Sequence, residues 1–140
     1  MFLSSRPPES ALLVMEPDSL VRGTLCAVCR DLDLAQMTQA SSVAMAEQRL
    51  AEQVFDGLLL SLDDAAGGLA LLRRLRAGRW ATRADAAVAV MASGCDASTA
   101  HDLRHLGVRR ILLRPFKIRD AVHTVQRLLQ DCERHALRVP

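Results

Sequence analysis

The sequence predicts a doubly wound parallel α/β sheet, a β-strand and an α-helix repeated five times, on three observations. Short apolar runs alternate with helical patterns along the chain, single helix-length segments separate them, and helix-start and helix-stop residues fall between them. Strands joined by one helix run parallel with right-handed crossovers, which puts helices on both faces. The 140 residues, 50% of them apolar, suit one domain with a single sizeable core.

The first strand is the apolar run ALLVM at 11–15, and Pro17, Asp18 and Ser19 supply helix-start chemistry. Val21, Leu25, Val28 and Leu32 follow at steps of four, three and four, one face of a helix that ends near Asp31. A weaker strand is expected at 34–38. Ser41 and Ser42 can cap a second helix with Val43, Ala46, Leu50 and Val54 inward. The run at 55–62 is the clearest central strand, with a loop expected at 63–68. Leu69, Leu72 and Leu75 mark a third helix that ends in an Arg-rich segment through Arg83. The fourth strand, AAVAVM at 86–91, is uninterrupted and so buried on both sides. A loop and cap at 93–98 lead into a helix at 99–106, which Gly107 stops. A fifth strand at 109–113 closes with Arg114 and Pro115. The last helix starts near Ile118 or Arg119 and buries Val122, Val125, Leu129 and Cys132.

Composition narrows the function. The net charge of +2 is too small to imply a nucleic-acid partner, and with no Tyr, one Trp and three Phe the chain lacks stacking platforms for single strands. Of the 18 basic side chains only Lys117 is a lysine, which reads as the coding bias of a GC-rich, bacterial source. No apolar run is long enough to cross a bilayer and the amino terminus does not read as a secretory signal, so a cytoplasmic protein is expected. Four cysteines in such a chain argue against a disulfide framework. A flexible lead is expected over 1–10, the domain over 11–136 and a short tail over 137–140.

The working residues of a doubly wound sheet stand at the carboxyl ends of its strands. Those ends carry Glu16-Pro17, Ser61, Ala92-Ser93 and Arg114-Pro115. Together with LLVMEPDSLVR at 12–22, FDGLLLS at 55–61, GLALLRRLR at 68–76 and GVRRILLRPF at 107–116, they make the chain resemble the receiver domain of bacterial two-component response regulators. The resemblance covers most of the chain and implies a flavodoxin-like sheet of strand order 2-1-3-4-5.

In that family an Asp ending the third strand takes a phosphoryl group from a histidine kinase. Two acidic residues after the first strand hold Mg²⁺, a Ser or Thr ends the fourth strand, and a Lys precedes a Pro after the fifth. Carried onto this chain, the acceptor position is Ser61, the acidic pair is Glu16 and Pro17, the hydroxyl position is Ala92 with Ser93 beside it, and the Lys position is Arg114. The aromatic switch position is Ile111, and the loop after Ser61 is one residue shorter than the family's. A serine hydroxyl is a poor nucleophile without a base, and Glu16 alone is a weak magnesium anchor. The resemblance therefore implies a degenerate receiver, a pseudo-receiver: a non-enzymatic module without cofactor or metal that acts by binding proteins. A register slip would put Asp63 on the face of Ser61, but FDGLLL fixes the register against it; Asp63 and Asp64 read as loop carboxylates in water. Arg114 can pair with Glu16, Asp63 or Asp64, and such a pair near the surface is worth no more than about 1 kcal/mol.

The resemblance also points to the fourth helix, fifth strand and fifth helix as the partner or dimer face. Here it would draw on His101, Arg104, His105, Arg109, Arg110, Lys117, Arg119 and His123, and suit a signalling kinase or an acidic target. The chain ends soon after the domain, so a stand-alone module is expected. Two rival readings are an atypical phosphorylatable receiver using Asp63 or Ser61, and a sensor for a nucleotide or other anion. The sensor site would be the segment of Arg76, Arg79, Trp80 and Arg83, although cations at a helix end need no ligand. Cys26 and Cys29 form a CxxC two turns inside a helix, where core packing is expected and not redox chemistry. His101 and His105 are spaced to chelate a metal, but no third ligand is evident and a solvated helix face is expected. His123 and His135 have no recognisable ligand partner.

Overall fold

A computed structural model describes the backbone of residues 10–138 and the side chains through 132. Most of the expected lead and tail, and the side chain of His135, lie outside the described residues. The elements are β1 (Ala11–Met15), α1 (Ser19–Asp31), β2 (Gln36–Ala40), α2 (Val43–Glu52), β3 (Gly57–Ser61), α3 (Ala65–Arg76), β4 (Ala87–Ala92), α4 (Ala97–His105), β5 (Arg110–Leu113) and α5 (Ile118–Arg138). The strands form one parallel sheet in the order β2-β1-β3-β4-β5. This is the α/β, doubly wound, flavodoxin-like architecture expected from the alternation of runs.

The period-two alternation of strand side chains splits the core in two. Leu13, Met15, Leu58 and Leu60 pack under α2, α3 and α4 with Leu50, Leu72 and Leu103. Leu12, Val14 and Leu59 pack under α1 and α5 with Leu25, Cys29, Val125 and Leu128. β3 and β4 are buried at every position, as unbroken apolar runs require.

The helix starts follow local chemistry. Asp18 accepts from the N–H groups of Leu20 and Val21, Ser42 from Met45, Asp64 from Gly67, and Asp96 from Thr99. The Thr99 N–H holds the Asp96 carboxyl below its ordinary range. Gly107 takes φ of 72° just past α4, the left-handed stop that glycine adopts without a Cβ clash.

Several expectations shift. β2 lies two residues later than expected, because it is a polar edge strand that apolar pattern cannot locate. Residues 65–68, expected as loop, are the first turn of α3, since Asp64 caps it. That helix stops at Arg76, and the segment to Arg83 is irregular. Val54 lies past the end of α2 and is exposed. On α1 the buried row is Leu25, Cys26 and Cys29, while Leu32 is the C-cap and faces solvent.

Candidate functional site

Parallel strands deliver their carboxyl ends to one edge of the sheet, and four of these ends converge. β3 closes with Ser61, 1% exposed; β1 is followed by Glu16, also 1% exposed. The backbone N–H of Glu16 donates to Ala40 O at 3.0 Å, and that of Arg114, just past β5, to Ala92 O at 2.8 Å. These ladder extensions carry Glu16 and Arg114 toward each other across the intervening strands.

The guanidinium of Arg114 binds the cluster together. Its Nη2 donates to the Glu16 carboxylate and, at 3.1 Å, to Ser61 Oγ. Its Nε stands 3.6 Å from Asp63 Oδ1, and its Cζ lies 5.6 Å from the centre of the Phe116 ring. The second Glu16 oxygen accepts the Asp18 N–H at 3.1 Å, so the acid is held by the start of α1 as well. Ser61 Oγ also accepts the Asp63 N–H at 3.3 Å, which fixes the loop after β3. Arg22 closes the outer side, donating to Glu16 O at 2.6 Å and to Gln39 Oε1 at 3.0 Å; no sequence signal singled it out.

Each residue expected at the degenerate pocket can be placed. Glu16, Ser61 and Arg114 are in direct contact. Pro17 is exposed beside them and offers no side-chain ligand, Ala92 is buried without a hydroxyl, and Ser93 faces solvent. Asp63 and Asp64 are not simply solvated loop carboxylates: Asp63 pairs with Arg114 and Asp64 caps α3. The Arg114–Glu16 pair is also more buried than a surface pair, because Glu16 sits under the sheet edge and Arg114 is only 20% exposed.

The chemistry of this donor set is restrictive. Magnesium takes about six oxygens in tight octahedral geometry, several of them water, and is held through one or two carboxylates that must be free to bind it. Glu16 and Asp63 both face the guanidinium, Pro17 offers no side-chain ligand, and Ser61 adds one hydroxyl. The residues do not fit a divalent cation site. Ser61 lacks an adjacent base, since the hydroxyl receives hydrogen bonds from Arg114 and from a backbone N–H.

The remaining candidates separate. Arg76 is withdrawn from the expected anion patch: its Nε donates to Leu106 O at 2.8 Å, and Nη1 donates to Ala84 O and Ala86 O at 2.7 Å each. It clips α3 to the segments entering β4 and β5. Arg79 is exposed, Trp80 packs half-buried against the core, and Arg83 pairs with Asp85 at 3.2 Å. His101 and His105 are exposed, their rings 4.3 Å apart and edge-on. No group of three or more metal-ligating side chains occurs among the described residues. Cys26 and Cys29 are buried, and burial pushes the Cys29 thiol up to about 11, opposite to what a redox cysteine needs. His101, Arg104, His105, Arg109, Lys117, Arg119 and His123 are exposed; Arg110 is half-buried beside Asp131. Ile111 and Leu113 are 42% and 54% exposed, two apolar side chains two residues apart on β5.

No family model and no curated protein matches the sequence. Solved structures do. A receiver-domain protein (CheY-like) from Methanospirillum hungatei JF-1 superimposes with a TM-score of 0.74 at 13% identity, covering 90% of this chain and 98% of that one. A response regulator receiver protein from Pseudomonas putida gives 0.73 at 23% identity, over 87% and 96% of the two chains. The non-phosphorylated HemR receiver domain from Leptospira biflexa gives 0.75 at 18% identity, over 86% and 94%. The chain has the fold of response regulator receiver domains. At these identities the likeness speaks for the fold, and the function rests on the residues at the site.

Proposed function

We propose that this chain is a pseudo-receiver of two-component signalling, a non-enzymatic module that acts by binding a protein partner without being phosphorylated. One observation carries the reading: the Arg114 guanidinium lies on Glu16 and Ser61, where a receiver keeps its metal ligands and phosphoacceptor. A guanidinium there neutralises the single buried acid and fills the space that metal and phosphoryl group share in the family. Ala92 and Ile111 stand at the hydroxyl and aromatic positions, so the paired movement that signals phosphorylation in receivers lacks both parts.

Partner binding is assigned to the face of α4, β5 and α5. Exposed Ile111 and Leu113 supply apolar contact, and a rim of His101, Arg104, His105, Arg109, Arg110, Lys117, Arg119 and His123 favours an acidic partner, such as a kinase domain or acidic target. A homodimer through the same face would bring like charges together, which favours a different chain as partner. No helix among the described residues is long and apolar enough to cross a membrane, and the module is assigned to the cytoplasm on its resemblance to receivers.

The test is incubation of the full chain with acetyl phosphate and Mg²⁺, followed by intact-mass measurement and peptide mapping. The expected result is no mass gain. A stoichiometric, Mg²⁺-dependent phosphoprotein overturns the reading, and the mapped position, Asp63 or Ser61, identifies an atypical acceptor.

A further inference from the structure

The amino end of β5, opposite the Arg114 cluster, carries two adjoining grooves that meet at Arg109. The first, about 540 Å³, is lined by Arg76, His105 and Arg109 together with Asp85. The second, about 390 Å³, is lined by Arg109, Arg110, His123 and Arg127. Four guanidinium groups thus line a surface whose one lining carboxylate, Asp85, is already paired with Arg83.

The cations are only partly compensated: Asp85 acts on Arg76, Asp131 stands near Arg110, and Arg109 also borders a neighbouring hollow lined by Asp56, Asp85 and Asp131. The Arg109 side chain makes no hydrogen bond or ion pair with the described residues. Arg110 reaches Asp131 only at 3.7 Å, beyond hydrogen-bond range, and its buried Nε has no acceptor among the described residues. Arg127 spends its Nε on the His123 ring at 3.4 Å and not on a carboxylate. Arg76 is held rigidly by backbone carbonyls, which orient its guanidinium without cancelling its charge. Burial lowers its pKa, Asp85 offsets part of this, and Arg109 adds to the lowering. A buried donor without an acceptor is costly.

We propose that these grooves form a binding site for a small polyphosphate-bearing anion, whose oxygens lie across Arg109, Arg110 and Arg127 with Arg76 as a fixed cation behind them. The grooves are lined by guanidinium groups and imidazole rings with no lysine, and planar guanidinium forks match phosphoryl oxygens two at a time. The volume falls in the ordinary range for small-molecule sites. The inference does not rest on the Arg114 cluster that carries the pseudo-receiver reading, because the grooves lie at the other end of the sheet. A bound anion would cover part of the basic rim assigned above to the protein partner.

Isothermal titration of the full chain with inorganic tripolyphosphate at physiological salt tests the site. The expected result is 1:1 binding, weakened roughly tenfold in Arg109→Ala and again in Arg127→Ala, two exposed side chains whose loss leaves the melting temperature unchanged. Arg79→Ala, outside the grooves, is expected to bind as the parent does. Absence of binding overturns the proposal. So does an equal loss in Arg79→Ala, which would indicate diffuse charge, or equally tight binding of decaglutamate, which would indicate an acidic peptide surface. Should either groove variant fail to fold, amide shift mapping on the parent chain decides: shifts centred on 76, 105, 109–110 and 127 support the site, and shifts elsewhere refute it.

Discussion

Replacing Arg114 with methionine isolates the interaction on which the closed pocket depends. Methionine keeps much of the side chain's length and removes the charge. In the parent chain Glu16 is 1% exposed and receives two hydrogen bonds, from Arg114 and from the Asp18 N–H. Removing one partner of a buried ion pair costs about 3–5 kcal/mol, because the other charge is left unpaired. Arg114 retains 20% exposure and Glu16 keeps the Asp18 bond, which places the cost at the low end of that range, about 3 kcal/mol. That is a large share of the roughly 5–15 kcal/mol that stabilises an ordinary domain. In urea denaturation the midpoint is expected to fall by about 1.5 M at an m-value near 2 kcal/mol/M. Glu16→Gln keeps an acceptor and leaves Arg114 with Asp63, so it should cost less. The double variant should cost less than the sum of the two by about 1–3 kcal/mol, the coupling expected for directly contacting charges. Adding 1 M NaCl should leave the coupling in place, since buried pairs are screened little. A loss below about 0.5 kcal/mol in Arg114→Met, or strict additivity in the double variant, would refute the reasoning.

Other consequences are open to direct measurement. Ser61→Asp alone should not restore acetyl phosphate labelling, because Pro17 stands at the second metal-ligand position and Arg114 still holds Glu16; rapid labelling would show that Glu16 suffices. Burial raises the Cys29 and Cys132 thiols from the ordinary 9.0 to about 11, so the folded chain keeps protons that the unfolded chain releases. Their contribution is complete below pH 9 and is lost as pH rises toward 11; melting temperature should fall across that window, less steeply in Cys29→Ala, and an unchanged slope would refute it. Thr82→Val should destabilise by about 1–3 kcal/mol. The buried Thr82 hydroxyl accepts the Phe55 N–H at 3.1 Å and donates to Gln53 O at 2.6 Å, and valine satisfies neither; a neutral effect in urea would show that the loop repacks.

The legibility of the molecule follows how local each signal is. β3 and β4 could be read directly because a strand buried on both faces is an unbroken apolar run. β2 could not be placed to the residue, because its QMTQA sequence at the sheet edge has little apolar pattern and the neighbouring Leu34 and Ala35 draw the reading upstream. The start of α3 was hidden by two glycines in its first turn, although the Asp64 cap was present in the sequence. The Arg114–carboxylate contact was readable from topology alone, since parallel strands bring their carboxyl ends to one edge. Its strength was not, because the burial of Glu16 depends on packing around the end of β1. Arg76 was misplaced for the same reason: its carbonyl partners lie 8 to 31 residues away and leave no trace near it in the sequence. The exposure of Ile111 and Leu113 has no local sequence signal, since it depends on what packs over β5.

The most direct test of the central claim is an amide spectrum of the parent chain recorded with Mg²⁺ and beryllofluoride, the mimic of an acyl phosphate. With Arg114 seated on Glu16 and Ser61, the amides of Ser61, Asp63, Ala92 and Arg114 are expected to stay in place at saturating Mg²⁺ and beryllofluoride. Saturable shifts at those four residues, dependent on both ions together, would contradict the account: the pocket would then be an acceptor site that opens.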